Sequence, residues 1–515
     1  MRWPWDEFRK YGVPIEDMRL RSYPGLPQMD GKTRALFEQH LRRGVPIARL
    51  NKDGERIHYW MSPGEVMSSH RFEMGQLLVG KIGETYLGHC DDRPLTTIAG
   101  TRAGKTTTIL EPNLYLYPGS MLVLDPKGEL ARTAWFRRLM NHNVCVLDPF
   151  GQSGEATASF NALNELDPQD PAIIDDVLSI ANALVPDTDG GGNAKHFNNS
   201  ARTLLAGLML VTLMLPKSER HLVTVRELLC LTYPPLAAKG RELAARALAK
   251  ATGEEKEQYF DANNFTMLTL LEKMRQIDAP FGAVAAGIAN RLSKTPLTER
   301  GSIFSTAAVH TDFIDSLLLS RTLRHSDFRL ADLRGDRPTT IFLCLPVGRM
   351  EQHFRWLRLI VQLACTKLEG LGPYPRDRAP VLFMLEEFAS LGHMAFMERA
   401  SAYFPGFGVK PWFILQDITQ LKRVYKAWES FLGNSGLVQL FANGDGETIE
   451  YVSRRLGKLV APWELETGFA REHESQVLLM KGKAPAAASR LSHEDVERIR
   501  QHAGAAFGPM GLPPF

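Results

Sequence analysis

The strongest constraint on the fold is a set of seven short apolar segments, each bounded by turn residues. Three segments lie before residue 150 and four after residue 340. They cover residues 95–99, 121–124, 144–147, 341–345, 381–385, 413–415 and 437–441. Continuous apolar runs of this length are typical of strands that are buried on both faces of a parallel sheet, and helical segments lie between them. The pattern predicts an α/β fold with one mainly parallel sheet whose strands are split in sequence.

The stretch that separates the two groups, residues 167–294, has the spacing of helices. Apolar side chains recur at helical intervals, as at Ile173, Val177 and Leu184. Residues 204–215 are apolar on every side, which predicts a buried helix, and they fall short of the ~20 residues that a membrane span needs. We therefore expect an all-helical domain inserted into the α/β domain.

Composition narrows the class of protein further. The chain has 515 residues, 44% hydrophobic and 23% charged, which predicts two or three packed units and excludes a disordered chain. The formal net charge of +3 means that any surface for nucleic acid must be local. The 5 cysteines stand singly, so neither a zinc motif nor a disulfide framework is indicated. The first 20 residues lack the apolar core of a secretory signal, and we expect a cytoplasmic protein.

A glycine-containing loop follows the first apolar segment and precedes a helical segment that extends to about Tyr115. Backbone N–H groups at the start of a helix lack partners within the helix and, with the helix dipole, attract phosphate. The predicted ATP-binding residues are Ala99, Gly100, Thr101, Arg102, Ala103, Gly104, Lys105, Thr106 and Thr107. Lys105 is expected to reach the β- and γ-phosphates, and the Thr106 hydroxyl to bind Mg²⁺. The loop begins with Ala99 where the motif has glycine, and an ordinary strand-to-helix turn is the alternative.

Two carboxylates, Glu386 and Glu387, directly follow the apolar segment 381–385. The carboxyl ends of parallel strands form the edge at which open α/β sheets bind ligands. In a phosphate-loop ATPase the first acid holds Mg²⁺ and the second polarises the attacking water, which assigns the metal to Glu386 and catalysis to Glu387. The metal-side acid is usually the shorter Asp, so Glu386 departs from the pattern. A solvated strand end is the alternative.

Gln416 ends the next apolar segment, one strand beyond the acidic pair. A glutamine there is placed to sense the γ-phosphate or to orient water, as in other nucleotide hydrolases. The alternative is a glutamine that caps the following helix.

These motifs define the expected domain organisation. We expect an irregular N-terminal arm over residues 1–70 and a C-terminal tail on the surface over residues 483–515. Between them, the nucleotide-binding domain would comprise residues 71–166 and 295–482, interrupted by the helical domain 167–294.

The chain resembles the TraG/VirD type of coupling ATPase of type IV secretion and conjugation, which is related to FtsK-like and HerA-like DNA motors. The resemblance runs from about residue 75 to residue 482 and rests on the joint order of several stretches besides the phosphate loop. They are PGS at 118–120, DPKGEL at 125–130, LDPF at 147–150, FN at 160–161, STA at 305–307, SDF at 326–328, EFASLG at 387–392, GFGV at 406–409, QD at 416–417, TIEY at 448–451 and LG at 456–457.

The resemblance implies a RecA-like domain that assembles as a ring of six, with ATP and Mg²⁺ between neighbouring subunits. It implies DNA as a partner, of single- or double-stranded form, together with a relaxase or other transfer components. A trans arginine would stabilise charge in the transition state, and Arg349, Arg399 and Arg423 are the candidates. Asp125 and Lys127 would lie near the nucleotide or at a subunit boundary, with a surface turn as the alternative.

The front end of the sequence departs from the family, whose typical members begin with two membrane-spanning helices. We expect that a separate subunit anchors the protein at the inner face of the membrane, or that it is not docked to a membrane. Three functions are compatible with these features: a DNA-translocating motor of conjugative transfer, a nucleotide-stabilised receptor platform for protein cargo, and a soluble DNA motor in DNA processing or anti-phage defence.

Overall fold

The computed structural model describes residues 47–50, 56–186, 191–250, 262–375, 378–400, 403–441, 443–456, 462–468 and 474–507. The strands of these residues form one pair and one large sheet. They are β1 (Ile47–Leu50), β2 (Arg56–Trp60), β3 (Leu77–Ile82), β4 (Thr85–His89), β5 (Leu95–Ile98), β6 (Met121–Asp125), β7 (Asn143–Leu147), β8 (Thr339–Cys344), β9 (Val381–Leu385), β10 (Val409–Leu415), β11 (Leu437–Leu440), β12 (Ser475–Met480) and β13 (Ala486–Ser489).

The helices are distributed around the large sheet. They are α1 (Pro63–Ser69), α2 (Glu111–Leu116), α3 (Ala134–Leu139), α4 (Ile173–Leu184), α5 (Gly192–Leu213), α6 (Leu222–Leu229), α7 (Pro234–Lys250), α8 (Ala262–Arg275), α9 (Gly282–Lys294), α10 (Leu297–His310), α11 (Leu317–Thr322), α12 (Met350–Gly370), α13 (Ala395–Ala400), α14 (Ile418–Val424), α15 (Glu429–Asn434), α16 (Gly446–Arg455), α17 (Pro462–Gly468) and α18 (His493–Phe507).

The large sheet has 11 strands in the order β4-β3-β13-β12-β11-β5-β10-β9-β6-β8-β7. The seven strands from β11 to β7 are parallel, and they are the seven predicted apolar segments. Along β6, Leu122 and Leu124 pack into the core on one face while Met121 and Val123 pack into the core on the other. Burial on both faces explains why the sequence of these strands does not alternate, and the predicted split sheet is confirmed.

The remaining four strands, β12, β13, β3 and β4, extend the sheet on the β11 side in antiparallel pairs. The prediction of a surface tail over 483–515 was wrong for β13, whose three alanines are at most 2% exposed, and for α18, which packs against α2. Alanine side chains are small enough to lie under neighbouring helices, so a small-residue composition did not indicate exposure.

The chain between β7 and β8 contains helices and no strand among its described residues. Residues 204–213 of α5 are buried, as predicted for this apolar segment. α4 packs against α12, and α5 packs against α10. Helical structure continues past residue 294 through α10 and α11, so the boundary of the helical domain at 294 stays a prediction. Among the residues that the structure describes, no helix is both long and apolar enough to cross a membrane.

The N-terminal region is more regular than expected. β1 and β2 pair antiparallel, and α1 begins with a capping box in which the Ser62 and Glu65 side chains and backbone N–H groups bond reciprocally. The prediction of an irregular arm was wrong for these elements, because proline at the start of α1 is compatible with a first helical turn. Residues 1–46 of the predicted arm lie outside the described residues.

Candidate functional site

The predicted phosphate loop lies at the carboxyl end of β5, between β10 and β11 in the middle of the sheet. Gly104 has a φ of +85°, and Arg102, with a φ of +60°, is also left-handed. A left-handed glycine costs little, whereas a left-handed arginine is held only by its surroundings. Lys105 is 7% exposed, and the helical segment begins at Thr106, as the sequence predicted.

The first turn of the loop helix is a wide π-turn over Thr106–Leu110. In this turn the N–H of Glu111 donates to the carbonyl of Thr106, five residues earlier. The π-turn ends two residues before Pro112, which has no N–H and whose ring would clash with the carbonyl four residues back in a regular helix. Such turns are frequent at functional sites.

The acidic pair converges on the loop lysine. The Lys105 ammonium (Nζ) donates to Glu387 Oε1 at 3.0 Å and lies 3.7 Å from Glu386 Oε1. Glu386 is 1% exposed, so the alternative of a solvated strand end does not describe it. The three charged groups form one compact cluster at the carboxyl ends of β5 and β9.

The backbone of Glu387 explains how two consecutive residues reach one lysine. Successive side chains of a strand point to opposite faces. Glu387 stands directly after β9 with φ 55° and ψ 41°, a left-handed conformation that is uncommon for a residue other than glycine. This turn brings its carboxylate to the same side as Glu386. Local strain of this kind clusters at functional sites.

Burial dominates the electrostatics of Glu386. It raises the pKa of this carboxyl to about 7, against the opposing effect of the nearby Lys105 charge, and Asp125 adds to the rise. Asp125 ends β6, the neighbour of β9, and burial raises its pKa to about 6 although backbone N–H groups donate to it. Of the positions left open for Asp125 and Lys127, the structure brings buried Asp125 beside Glu386, whereas Lys127 is exposed.

Gln416 joins the same cluster. Its amide nitrogen Nε2 donates to Glu387 Oε1 at 2.9 Å, and its Oε1 accepts from the Thr101 hydroxyl at 3.5 Å. The cap of α14 is the next residue, Asp417, whose carboxylate accepts from the N–H of Gln420 at 2.7 Å. The alternative in which Gln416 caps the helix is therefore wrong. Asn443, which no sequence motif indicated, donates to the Gln416 carbonyl at 2.7 Å.

Two of the three candidate trans arginines have exposed, described side chains. Arg349 follows β8, and Arg423 lies on α14, which follows β10, so both stand on the carboxyl side of the parallel strands. The Arg349 guanidinium carbon lies 5.7 Å from the ring centroid of Phe150. The Arg399 side chain lies outside the described part of the chain. The choice among the three stays open.

Two further residues that support the loop were missed. Asn113 on α2 is fully buried and exchanges hydrogen bonds of 2.9 Å with the N–H and carbonyl of Leu78 on β3. Arg490, directly after β13, donates to the carbonyl of Ala103 in the loop. A polar residue among apolar ones in the predicted helix was a usable signal for Asn113, whereas nothing near Arg490 in the sequence pointed to the loop.

The residues present fit a phosphate chain with its divalent cation. Glu386 Oε1 is buried and has no hydrogen-bond partner among the described residues, so a carboxylate oxygen remains for a cation. The Thr106 side chain is half-buried at the start of the helix, where hydroxyl and carboxylate oxygens suit Mg²⁺. A Cβ atom at Gly104 would lie 3.3 Å from Arg490 Nη1, so glycine at this position lets Arg490 pack close to the loop.

The parallel strand order, the loop after β5 and the acids after β9 define a RecA-like P-loop α/β domain. The model of the family described as Type IV secretory system Conjugative DNA transfer matches residues 60–467. The chain belongs to this family.

Curated relatives include a conjugal transfer protein TraG of Escherichia coli, 28% identical over 385 residues, which covers 72% of this chain and 56% of the relative. Protein VirD4 of Agrobacterium fabrum is 26% identical over 379 residues, covering 72% of this chain and 51% of the relative. The chain thus spans about half the length of these relatives. The plasmid coupling protein TrwB, solved with the ATP analogue ADPNP, matches in fold with a TM-score of 0.58 at 16% identity, covering 84% of this chain and 92% of TrwB.

Proposed function

We propose that the chain is an ATP-hydrolysing coupling protein of conjugative transfer that drives DNA through a ring of six subunits. The observation that carries the proposal is the cluster in which Glu387, after β9, accepts hydrogen bonds from both Lys105, after β5, and Gln416, after β10. Membership of the conjugative DNA transfer family supports the setting.

The residues take roles that follow from their positions. Backbone N–H groups of the loop, residues 100–106, bind the phosphates, and Lys105 neutralises the charge of the β- and γ-phosphates. When ATP binds, phosphate oxygens accept hydrogen bonds from Lys105 in place of Glu387. Glu387 is then free to accept a proton from the attacking water. Gln416, which already bonds Glu387, orients that water.

Thr106 and Glu386 are the residues that would hold Mg²⁺. The cation neutralises charge on the phosphates when it is bound. Glu386 must be ionised to serve as a ligand, and the Lys105 charge favours that form. Asp125 lies behind Glu386 and raises the negative potential of the pocket.

The partners are proposed on family membership. They are a homo-hexamer, DNA of either strand form, and a relaxase or other transfer component. Arg349 and Arg423 are exposed, as a residue that reaches a neighbouring subunit must be. The helical region from α4 to α9 is proposed as the part that receives cargo.

The proposal is tested by ATP hydrolysis with and without single- and double-stranded DNA, with the oligomer mass recorded. We expect DNA to raise the rate of the wild type, and Lys105→Ala to abolish hydrolysis. Lys422→Ala is the matched control, because Lys422 is an exposed lysine that pairs with Glu447 outside the cluster.

Three results would contradict parts of the proposal. No hydrolysis by the wild type under any condition would remove the ATPase. Hydrolysis that DNA does not stimulate would favour a receptor platform for protein cargo. A DNA-stimulated motor that binds no transfer component would favour a soluble role in DNA processing or defence.

A further inference from the structure

A buried arginine near the end of the chain donates a hydrogen bond to the phosphate loop. Arg490 is 2% exposed, and its guanidinium Nη1 donates to the backbone carbonyl of Ala103. The two residues are 387 positions apart in sequence. The pairing of the C-terminal strands with the sheet therefore brings this donor to the loop.

The surroundings of Arg490 keep its guanidinium in one place. The guanidinium carbon lies 5.3 Å from the ring centroid of Phe441, which is fully buried directly after β11. A cation over an aromatic face is stabilised by the ring quadrupole. The backbone N–H of Arg490 donates to the carbonyl of Glu474 at 2.6 Å. Both ends of the residue are thus anchored, to β11 and to the residue that precedes β12.

The segment that carries Arg490 is itself tied to the sheet. β13 pairs with β12 and β3, and α18 packs against α2, the helix of the phosphate loop. Lys81 on β3 and Asp495 on α18 form an ion pair of 2.5 Å in which both side chains are buried. These contacts place Arg490 on a rigid support rather than on a mobile end.

The bond to Ala103 has a direct consequence for anion binding. A loop can direct its N–H groups at a phosphate only when its carbonyls point elsewhere, and a buried carbonyl needs a donor. Arg490 supplies that donor with a positive charge, and such charge-assisted bonds are stronger than neutral ones. The guanidinium also lies next to Gly104, within 3.3 Å of the point where a side chain would begin.

We propose that Arg490 is a positioning residue of the nucleotide site, which holds the Ala103 carbonyl away from the phosphates and thereby sets the affinity of the loop for a nucleoside triphosphate. This inference rests on the proposed ATP binding. Arg490 acts through the loop and does not touch the reacting atoms, so its loss changes the binding of ATP rather than the chemical step.

The test compares Arg490→Met and Arg490→Lys with the wild type in the full chain. ATP affinity is measured with a fluorescent ATP analogue, and KM and kcat are measured by steady-state hydrolysis. We expect Arg490→Met to raise Kd and KM roughly tenfold or more with kcat within about threefold of the wild type. Arg490→Lys, which keeps the charge and one donor, should recover part of the affinity.

Lys81→Met is the matched control, because it breaks the other buried tie of the C-terminal segment, the ion pair with Asp495. Melting temperatures are recorded for all variants without nucleotide. A purely structural role predicts that Lys81→Met, at a similar loss of melting temperature, weakens ATP binding as much as Arg490→Met. That result, or an unchanged Kd in both Arg490 variants, would overturn the inference. A wild type that binds no ATP would overturn the proposed function as well, which separates the two failures.

Discussion

Two buried side chains, one in each part of the large sheet, use their polar atoms in opposite ways. In the parallel part, charged side chains at the strand ends keep capacity unused, as for the buried Glu386 oxygen that has no hydrogen-bond partner among the described residues. In the antiparallel part, Gln476 donates to the carbonyls of Val79 and Ser489 and accepts from Gln439, so its amide is occupied by the protein. A binding site needs polar atoms that have no partner in the protein, whereas its support needs polar atoms that are already hydrogen-bonded. The difference between Glu386 and Gln476 teaches that the parallel part carries the site at its strand ends and that the antiparallel strands beside it brace the site.

The largest expected effect falls on chemistry in the parallel part. Glu387→Gln keeps the shape of the side chain but removes the proton acceptor, so we expect kcat for ATP hydrolysis to fall on the order of a hundredfold or more with ATP affinity retained. Steady-state hydrolysis and equilibrium binding measure the two effects. Glu447→Gln, an exposed acid on α16, serves as the control. A loss of binding without a loss of kcat would make Glu387 part of the support rather than of the chemistry.

The contact between the loop helix and the antiparallel strands that brace it is removed most directly by changing Asn113. Asn113→Leu has a similar shape but leaves the N–H and carbonyl of Leu78 buried without their side-chain partner. We expect the free energy of unfolding to fall by about 3 kcal/mol, measured by urea denaturation. Thr107→Val, at an exposed position on the same helical segment, is the comparison for stability. A change below about 0.5 kcal/mol in Asn113→Leu would show that water replaces the bonds and that β3 does not brace the loop helix.

The burial of Glu386 predicts that the stability of the protein depends on pH. Burial raises its pKa to about 7 from the ordinary value of 4.5, so the folded state binds this proton more tightly than the unfolded state. Stability of the nucleotide-free chain therefore falls as pH rises from about 4.5 to about 7. We expect Glu386→Gln to be more stable than the wild type at pH 8, on the order of 2 kcal/mol, with this gain lost near pH 4.5. A gain that does not change with pH would contradict the assignment.

The smallest expected effects distinguish the roles of two neighbouring residues, Gln416 and Asp417. Asp417→Ala removes the cap of α14 and is expected to cost about 1 kcal/mol in thermal unfolding, with little change in kcat. Gln416→Ala is expected to do the reverse, because its amide bonds Glu387 and not the helix. If Gln416→Ala reduced stability and left kcat unchanged, Gln416 would belong to the support and the boundary between site and brace would move.

The parallel part of the sheet was predictable because burial on both faces leaves a continuous apolar segment in the sequence, and each carboxyl end then predicts where polar residues gather. Glu386, Glu387 and Gln416 were found in this way and Lys105 through the glycine-containing loop, and the structure brings these residues together. The antiparallel strands carry glycines, a lysine and a run of alanines, and none of these compositions indicates a buried strand on its own.

The support of the site was hidden for a different reason. The left-handed turn at Glu387 is imposed by packing and has no propensity signal, since glutamate rarely adopts it. The bond from Arg490 to Ala103 depends on a strand order that places the end of the chain beside its first third. Local sequence patterns report neighbours within a helix or strand, and they carry no information about such pairings.

The placement of β5 between β10 and β11 has a consequence for the order in which the protein is made. More than 300 residues separate Ile98 from Val409, so β5 leaves the ribosome long before either neighbour exists. At synthesis rates of roughly 5–20 residues per second, its apolar side chains wait on the order of tens of seconds for partners. The helices from α5 to α10 contact one another and can pack during that interval, whereas α4 also packs against α12, which follows β8. We therefore expect most of the helical region to pack before the phosphate loop, which closes only after β10, β11 and the segment of Arg490 have been made.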